Sequence, residues 1–247
     1  MRKIQLLPSL LTTVNLVCGF LSIIFSIQGN FITAGWLIII AIVFDAFDGE
    51  VSRLTNTSSA FGLQYDSLTD LISFAVAPAV LVYLVYKSFF GIPTRLALSL
   101  ITLYVVCGAL RLARFNVQIV KTKDKFFVGL PIPAAAAIIT TFTVAFHSYI
   151  IQFPILRFFP IFMVVIAYLM VSKIRYPSLK EIERKRPFHY LVAILLILTL
   201  IVARSDFFMF AITFIYVLSG PARMIKPLRK FFILKDQIPQ NSEEKIS

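Results

Sequence analysis

Apolar residues dominate this chain in runs of near-spanning length, at about 8 to 27, 31 to 49, 67 to 90, 96 to 117, 128 to 151, 154 to 172, 188 to 203 and 206 to 221. A helix rises 1.5 Å per residue, so about 20 such residues cross a hydrocarbon core of about 30 Å. The pattern predicts an all-α fold: a polytopic membrane bundle of about eight transmembrane helices, the last two short. Between the runs, Gln28-Gly29-Asn30 reads as a tight outer turn, and the charged stretch from Glu181 to Arg186 as a linker to the last two helices. Pro8 suits the first turn of the first helix, where its missing N–H costs nothing. The first run follows Met1-Arg2-Lys3 without a small-residue cleavage site, so it reads as an anchor rather than a removable signal.

Composition agrees with that pattern. Of the 247 residues, 59% are hydrophobic, and the mean hydropathy is +0.88, more than a soluble core requires. The net charge of +12 would suit a nucleic-acid binder, but its placement points elsewhere. With a cytoplasmic amino terminus and eight spans, only Lys87, Arg95, Arg157 and Arg204 of the 24 Lys and Arg residues fall outside. That asymmetry obeys the positive-inside rule, and it places both termini on the cytoplasmic side of an inner membrane. Basic inner loops also attract anionic membrane lipids. Cys18 and Cys107 lie within apolar runs and have no partner at metal-ligand spacing, so neither a disulfide nor a zinc site is implied.

Four carboxylates stand out against this background. Asp45, Asp48, Asp66 and Asp70 sit between two strongly apolar segments, where an ionised side chain is costly and marks function. Asp45 and Asp48 are three apart, and Asp66 and Asp70 four apart. On two facing helices each pair would present its carboxylates on one face. Four such charges cannot all stay ionised without compensation. All-oxygen ligation suits Mg²⁺ or Mn²⁺, and four carboxylates suffice for two divalent cations, a common arrangement in phosphoryl chemistry. Asp45 lies about 14 residues beyond Phe31, or about 21 Å along a helix, which recesses the cluster in the cytoplasmic leaflet.

Neighbouring residues extend the candidate site. Gly49, one turn beyond Asp45, leaves bare helix surface for a ligand, and Arg53 lies within reach of a bound phosphate. Ser58 and Ser59 can donate hydrogen bonds from the polar linker, and Gly62 permits a tight entry into the third helix. Asp66 and Asp70 then fall in that helix's first turns, where the dipole favours anions. Arg111 and Arg114 share a helix face, with Asn116 close behind, at the same cytoplasmic level. Arginine suits bidentate binding of a phosphate or a carboxylate.

Written out, Asp45, Asp48, Gly49, Ser52, Arg53, Gly62, Asp66 and Asp70 form D-x-x-D-G-x-x-S-R-x8-G-x3-D-x3-D. This resembles the signature of the CDP-alcohol phosphatidyltransferases, with Ser52 where that family usually has Ala. The stretches CGALRLARFNVQ, FVGLPIPAAAA and SKIRYPSLK resemble further signatures of its phosphatidylserine synthase branch. The resemblance implies a membrane domain over residues 1–180 with the family's six-helix catalytic core. Two additional helices over 181–222 and a cytoplasmic tail over 223–247 would complete the chain. It also implies transfer of the phosphatidyl group from CDP-diacylglycerol to L-serine at two divalent cations, Mg²⁺ or Mn²⁺, by a homodimer. In that scheme Asp45, Asp48, Asp66 and Asp70 hold metal, and Asp70 takes the acceptor's proton. Gly49, Arg53, Ser59 and Gly62 would hold the nucleotide-lipid, and Arg111, Arg114 and Asn116 the acceptor or a phosphate. Glycerol 3-phosphate or an inositol phosphate is the alternative acceptor. A cation transporter would be expected to spread its acidic residues through the bilayer depth, whereas these cluster on one side.

Overall fold

A computed structural model describes residues 2–55, 59–91, 94–119, 127–146, 149, 159–176 and 209–221. Helices α1 (Arg2–Ile27) and α2 (Phe31–Thr55) form a hairpin with the most extensive pairing in the molecule. Its turn falls at Gln28-Gly29-Asn30, as the sequence suggests. Asn30 N–H donates to the Phe25 carbonyl at 2.9 Å across Gly29, whose φ of +81° is the left-handed cap that ends many helices. Pro8 stands well inside α1 rather than in its first turn, a position that transmembrane helices tolerate better than soluble ones.

The next span is a single helical rod. It comprises α3 (Ala60–Asp70), a π-helical turn over Leu71–Val76, and α4 (Ala77–Phe90). The rod starts earlier than the apolar run beginning at 67, because Ser59 caps it: its side chain accepts the Gly62 N–H at 2.9 Å. After it come α5 (Thr94–Ile119), α6 (Ile132–Phe146), α7 (Phe159–Val171) and α8 (Met209–Pro221). The rod touches α1, α2, α5 and α6, which makes it the centre of the bundle. Phe74, Ala75, Ala77, Leu81 and Val85 are completely enclosed there.

Four stretches are long and apolar enough to cross a membrane: Leu10–Ile27, Phe31–Gly49, Phe61–Phe89 and Leu98–Val117. Helices α6, α7 and α8 are apolar but shorter, and the run at 188 to 203 lies outside the described residues. The all-α, multi-pass class therefore holds. Phe20, Phe47, Leu68, Leu110 and Tyr168 point outward, more than half exposed. A soluble monomer avoids such an apolar exterior, whereas hydrocarbon covers it without cost.

A short ladder closes one end of the bundle. Strand β1 (Phe127–Val128) pairs antiparallel with β2 (Arg175–Tyr176), fastening the entry of α6 to the exit of α7. Gly129 continues the contact through its N–H, which donates to the Ile174 carbonyl at 2.8 Å. Its φ of +82° and the Met170 carbonyl packed against it leave no room for a side chain. Tyr176 is fully buried and its hydroxyl donates to the Val217 carbonyl at 3.3 Å, which draws α8 onto the same end. Cys18 and Cys107 are both free thiols.

Candidate active site

The acidic residues come from α2 and α3, as their spacing implies. One oxygen each from Asp45, Asp66 and Asp70 converge within 4.8 Å of one another. Asp70 is the most enclosed of the three, and its carboxyl lies within hydrogen-bonding reach of Asp45. Two carboxyls tolerate that approach only with a proton or a cation between them. Asp70 Oδ1 is buried without a hydrogen-bond partner, an orphan acceptor of the kind that a cation satisfies. The donor set is all oxygen, so it fits a hard divalent ion.

Asp48 occupies a different position. It is buried on α2 one turn from Asp45, and its Oδ2 accepts the hydroxyl of Thr12 from α1. Its charge is felt at both Asp45 and Asp66, so it borders the trio rather than joining it. Asp66 stands in the second turn of α3 and Asp70 at the last residue before the π turn. The helix-dipole argument therefore does not extend to Asp70, since that effect fades beyond the first turn.

Arg111, Arg114 and Asn116 separate into three roles. Arg111 is 7% exposed and close enough to Asp70 for their charges to interact, while its Nε has no hydrogen-bond partner. Arg114 Nη1 donates to the Val171 carbonyl at 3.2 Å, binding α5 to the carboxyl end of α7. Asn116 Nδ2 donates to Ser67 Oγ at 2.9 Å, which secures α5 between the two aspartates of α3. Of the three, only Arg111 presents its charge to the acidic cluster.

Gly49 is half-buried one turn beyond Asp45. The backbone of Arg53 continues α2, and its side chain lies outside the described residues. Ser59 is exposed at the mouth of α3, where its oxygen is engaged by Gly62 N–H and its O–H remains able to donate. A Cβ on Gly62 would lie 3.2 Å from Ser59 Oγ and crowd that cap.

Thr12 is the site contact that the acidic motif alone does not disclose, but its signal is present in α1. Thr12, Asn15, Gly19, Ser22 and Ser26 repeat at alternating steps of three and four, and all four polar members are buried. That is a single polar and small-residue stripe on an otherwise apolar span. Thr12→Val preserves shape and removes the donor to Asp48. Divalent-cation affinity, measured by titration of the purified protein, is expected to fall about tenfold, the usual effect of removing an outer-shell partner.

A multi-pass helical membrane protein whose carboxylates converge between two spans is, by fold and chemistry, a membrane metal-centre protein. The chain belongs to the CDP-alcohol phosphatidyltransferase family, whose sequence model matches residues 5–172. It is 37% identical over 200 residues to a CDP-diacylglycerol--serine O-phosphatidyltransferase of Helicobacter pylori, covering 80% of this chain and 83% of that one. A protein of the same name from Methanocaldococcus jannaschii is 35% identical, with 91% and 97% covered. An archaetidylserine synthase of Methanothermobacter thermautotrophicus is 40% identical, with 69% of each chain covered.

Proposed function

We propose that this chain transfers the phosphatidyl group of CDP-diacylglycerol to L-serine, releasing CMP and leaving phosphatidylserine in the membrane. The observation that carries this reading is the convergence of Asp45, Asp66 and Asp70 at the aspartates of the family signature. The relatives' names support the acceptor: they share serine while differing in the lipid that receives it.

Asp45, Asp66 and Asp70 would hold the divalent cations, two Mg²⁺ or Mn²⁺ ions, with Asp48 completing the set from its Thr12-fixed position. When bound, such cations neutralise the pyrophosphate and stabilise the departing CMP. Asp70 takes the proton of the serine hydroxyl at its unpartnered Oδ1. The serine oxygen bonds to the lipid-side phosphorus as the bond from that phosphorus to CMP breaks. Arg111, buried opposite Asp70, orients the serine carboxylate. Gly49, Arg53, Ser59 and Gly62 border the nucleotide end, while Arg114 and Asn116 fix α5 so that Arg111 holds its place.

Arg114 is engaged at Val171, which leaves a single guanidinium facing the cluster. One guanidinium matches a carboxylate better than the doubly charged phosphate of glycerol 3-phosphate or an inositol phosphate, and this favours serine. The distribution of basic residues supports a cytoplasmic face for the site and both termini. A homodimer is the state that the family resemblance favours.

The test is CMP release from CDP-diacylglycerol by the detergent-purified protein, with serine, glycerol 3-phosphate and an inositol phosphate supplied separately. Release with serine alone is expected. Release with a phosphorylated alcohol alone would keep the reaction class and overturn the acceptor, and cation transport without CMP release would overturn both.

A further inference from the structure

The π turn at Leu71–Val76 begins at the residue after Asp70. A π turn holds about one more residue than an α turn. Compared with an unbroken α-helix, α3 is therefore rotated by about 100° relative to α4. Helix α4 and most of the turn are fixed, because Phe74, Ala75, Ala77, Leu81 and Val85 are locked in the core. The width of this one turn thus decides which way Asp66 and Asp70 face.

Several side chains maintain that width. Ala77 N–H donates to the Ile72 carbonyl, a bond of the wider i→i+5 type. Tyr104 of α5, completely buried, donates its hydroxyl to the Phe74 carbonyl at 2.8 Å inside the turn. Ser73 donates to the Asn15 carbonyl of α1 at 3.1 Å from the opposite side. Two glycines make the room: Ser73 fills the space of a Cβ on Gly19, and a Cβ on Gly108 would lie 3.1 Å from Ala75 Cβ. Tyr104, Gly108 and Arg111 succeed one another at steps of four and three, so one face of α5 carries the clamp, the clearance and the charge opposite Asp70.

We propose that Tyr104 is a positioning residue for the carboxylate centre: its hydroxyl, bonded to the Phe74 carbonyl, fixes the π turn that aims Asp66 and Asp70 at Asp45. This rests on the reading of the trio as a metal site. Tyr104 touches neither substrate nor cation, and it acts through the backbone of the rod.

The experiment compares wild type, Tyr104→Phe and Tyr86→Phe as full-length, detergent-purified protein. Mn²⁺ binding is read by electron paramagnetic resonance of the free ion, and serine KM by CMP release at saturating Mn²⁺. Tyr86 is the control, a buried tyrosine of α4 whose hydroxyl is hydrogen-bonded to the Phe159 backbone, away from the aspartates. Tyr104→Phe is expected to raise the Mn²⁺ Kd about tenfold, as loss of an outer-shell support does, while serine KM changes by less than about twofold. Tyr86→Phe should bind Mn²⁺ as wild type does. Equal binding by Tyr104→Phe and wild type, or equal weakening in both variants, would overturn the positioning role. Should Tyr104→Phe not fold, Ser73→Ala removes the second clamp and is expected to weaken Mn²⁺ binding in the same direction; unchanged binding would overturn the inference. A wild-type protein that binds no Mn²⁺ would overturn the metal reading itself, and the inference with it.

Discussion

Asp70→Asn is expected to lower serine-dependent CMP release by about 10³-fold or more while the protein still folds. Loss of a general base costs about 10²- to 10⁴-fold, and here the same substitution also removes a metal oxygen. An amide of the same shape cannot take the serine proton. Its effect on stability should run the other way. Asp45, Asp66 and Asp70 converge within 4.8 Å, so without a cation, replacing one of them relieves like-charge repulsion. The melting temperature of Asp70→Asn without divalent ion should equal or exceed that of wild type, and the rise that Mn²⁺ gives wild type should shrink or vanish. Near-normal CMP release by this variant would remove Asp70 from the chemistry.

Arg111→Ala is expected to lower kcat/KM for serine by about 10²- to 10³-fold, since removing one partner of a buried charge pair costs about 3–5 kcal/mol. A buried arginine facing Asp70 can serve in two ways, and the kinetics separate them. If Arg111 orients the serine carboxylate, KM for serine rises, and ethanolamine, which lacks that carboxylate, is used equally poorly by variant and wild type. If Arg111 serves only to balance the charge of Asp70, serine and ethanolamine suffer alike. The comparison works as a double-mutant cycle in which one deletion is made in the acceptor.

The spans were legible because hydrocarbon imposes a simple rule: a crossing helix must be apolar along about 20 residues. The acidic trio was legible because carboxylates are rare in such surroundings and their spacing puts them on one face of each helix. The beginning of the third rod was hidden, since Ala60–Asp70 is too polar to register as a span and is set by the Ser59 cap. The split among Arg111, Arg114 and Asn116 was hidden as well. Shared helix faces place side chains in the same sector, but Val171 and Ser67, which claim Arg114 and Asn116, arrive from other helices. Asp48 looked equivalent to its neighbours for the same reason, and Thr12 of α1 distinguishes it. The π turn left no periodic trace at all. The residues of Leu71–Val76 are apolar apart from Ser73 and suit either helix type, and the wider turn depends on donors and clearances supplied by α1 and α5.

The most direct test of a carboxylate-held cation driving this reaction is to measure CMP and phosphatidylserine together, with the protein reconstituted in vesicles containing CDP-diacylglycerol. Serine is supplied throughout, and the sample is read with Mn²⁺, after excess EDTA, and after Mn²⁺ is restored. CMP and phosphatidylserine should form in equal amounts, both cease with EDTA, and both return with Mn²⁺. Phosphatidylserine synthesis that continues undiminished in excess EDTA would contradict a metal centre at Asp45, Asp66 and Asp70.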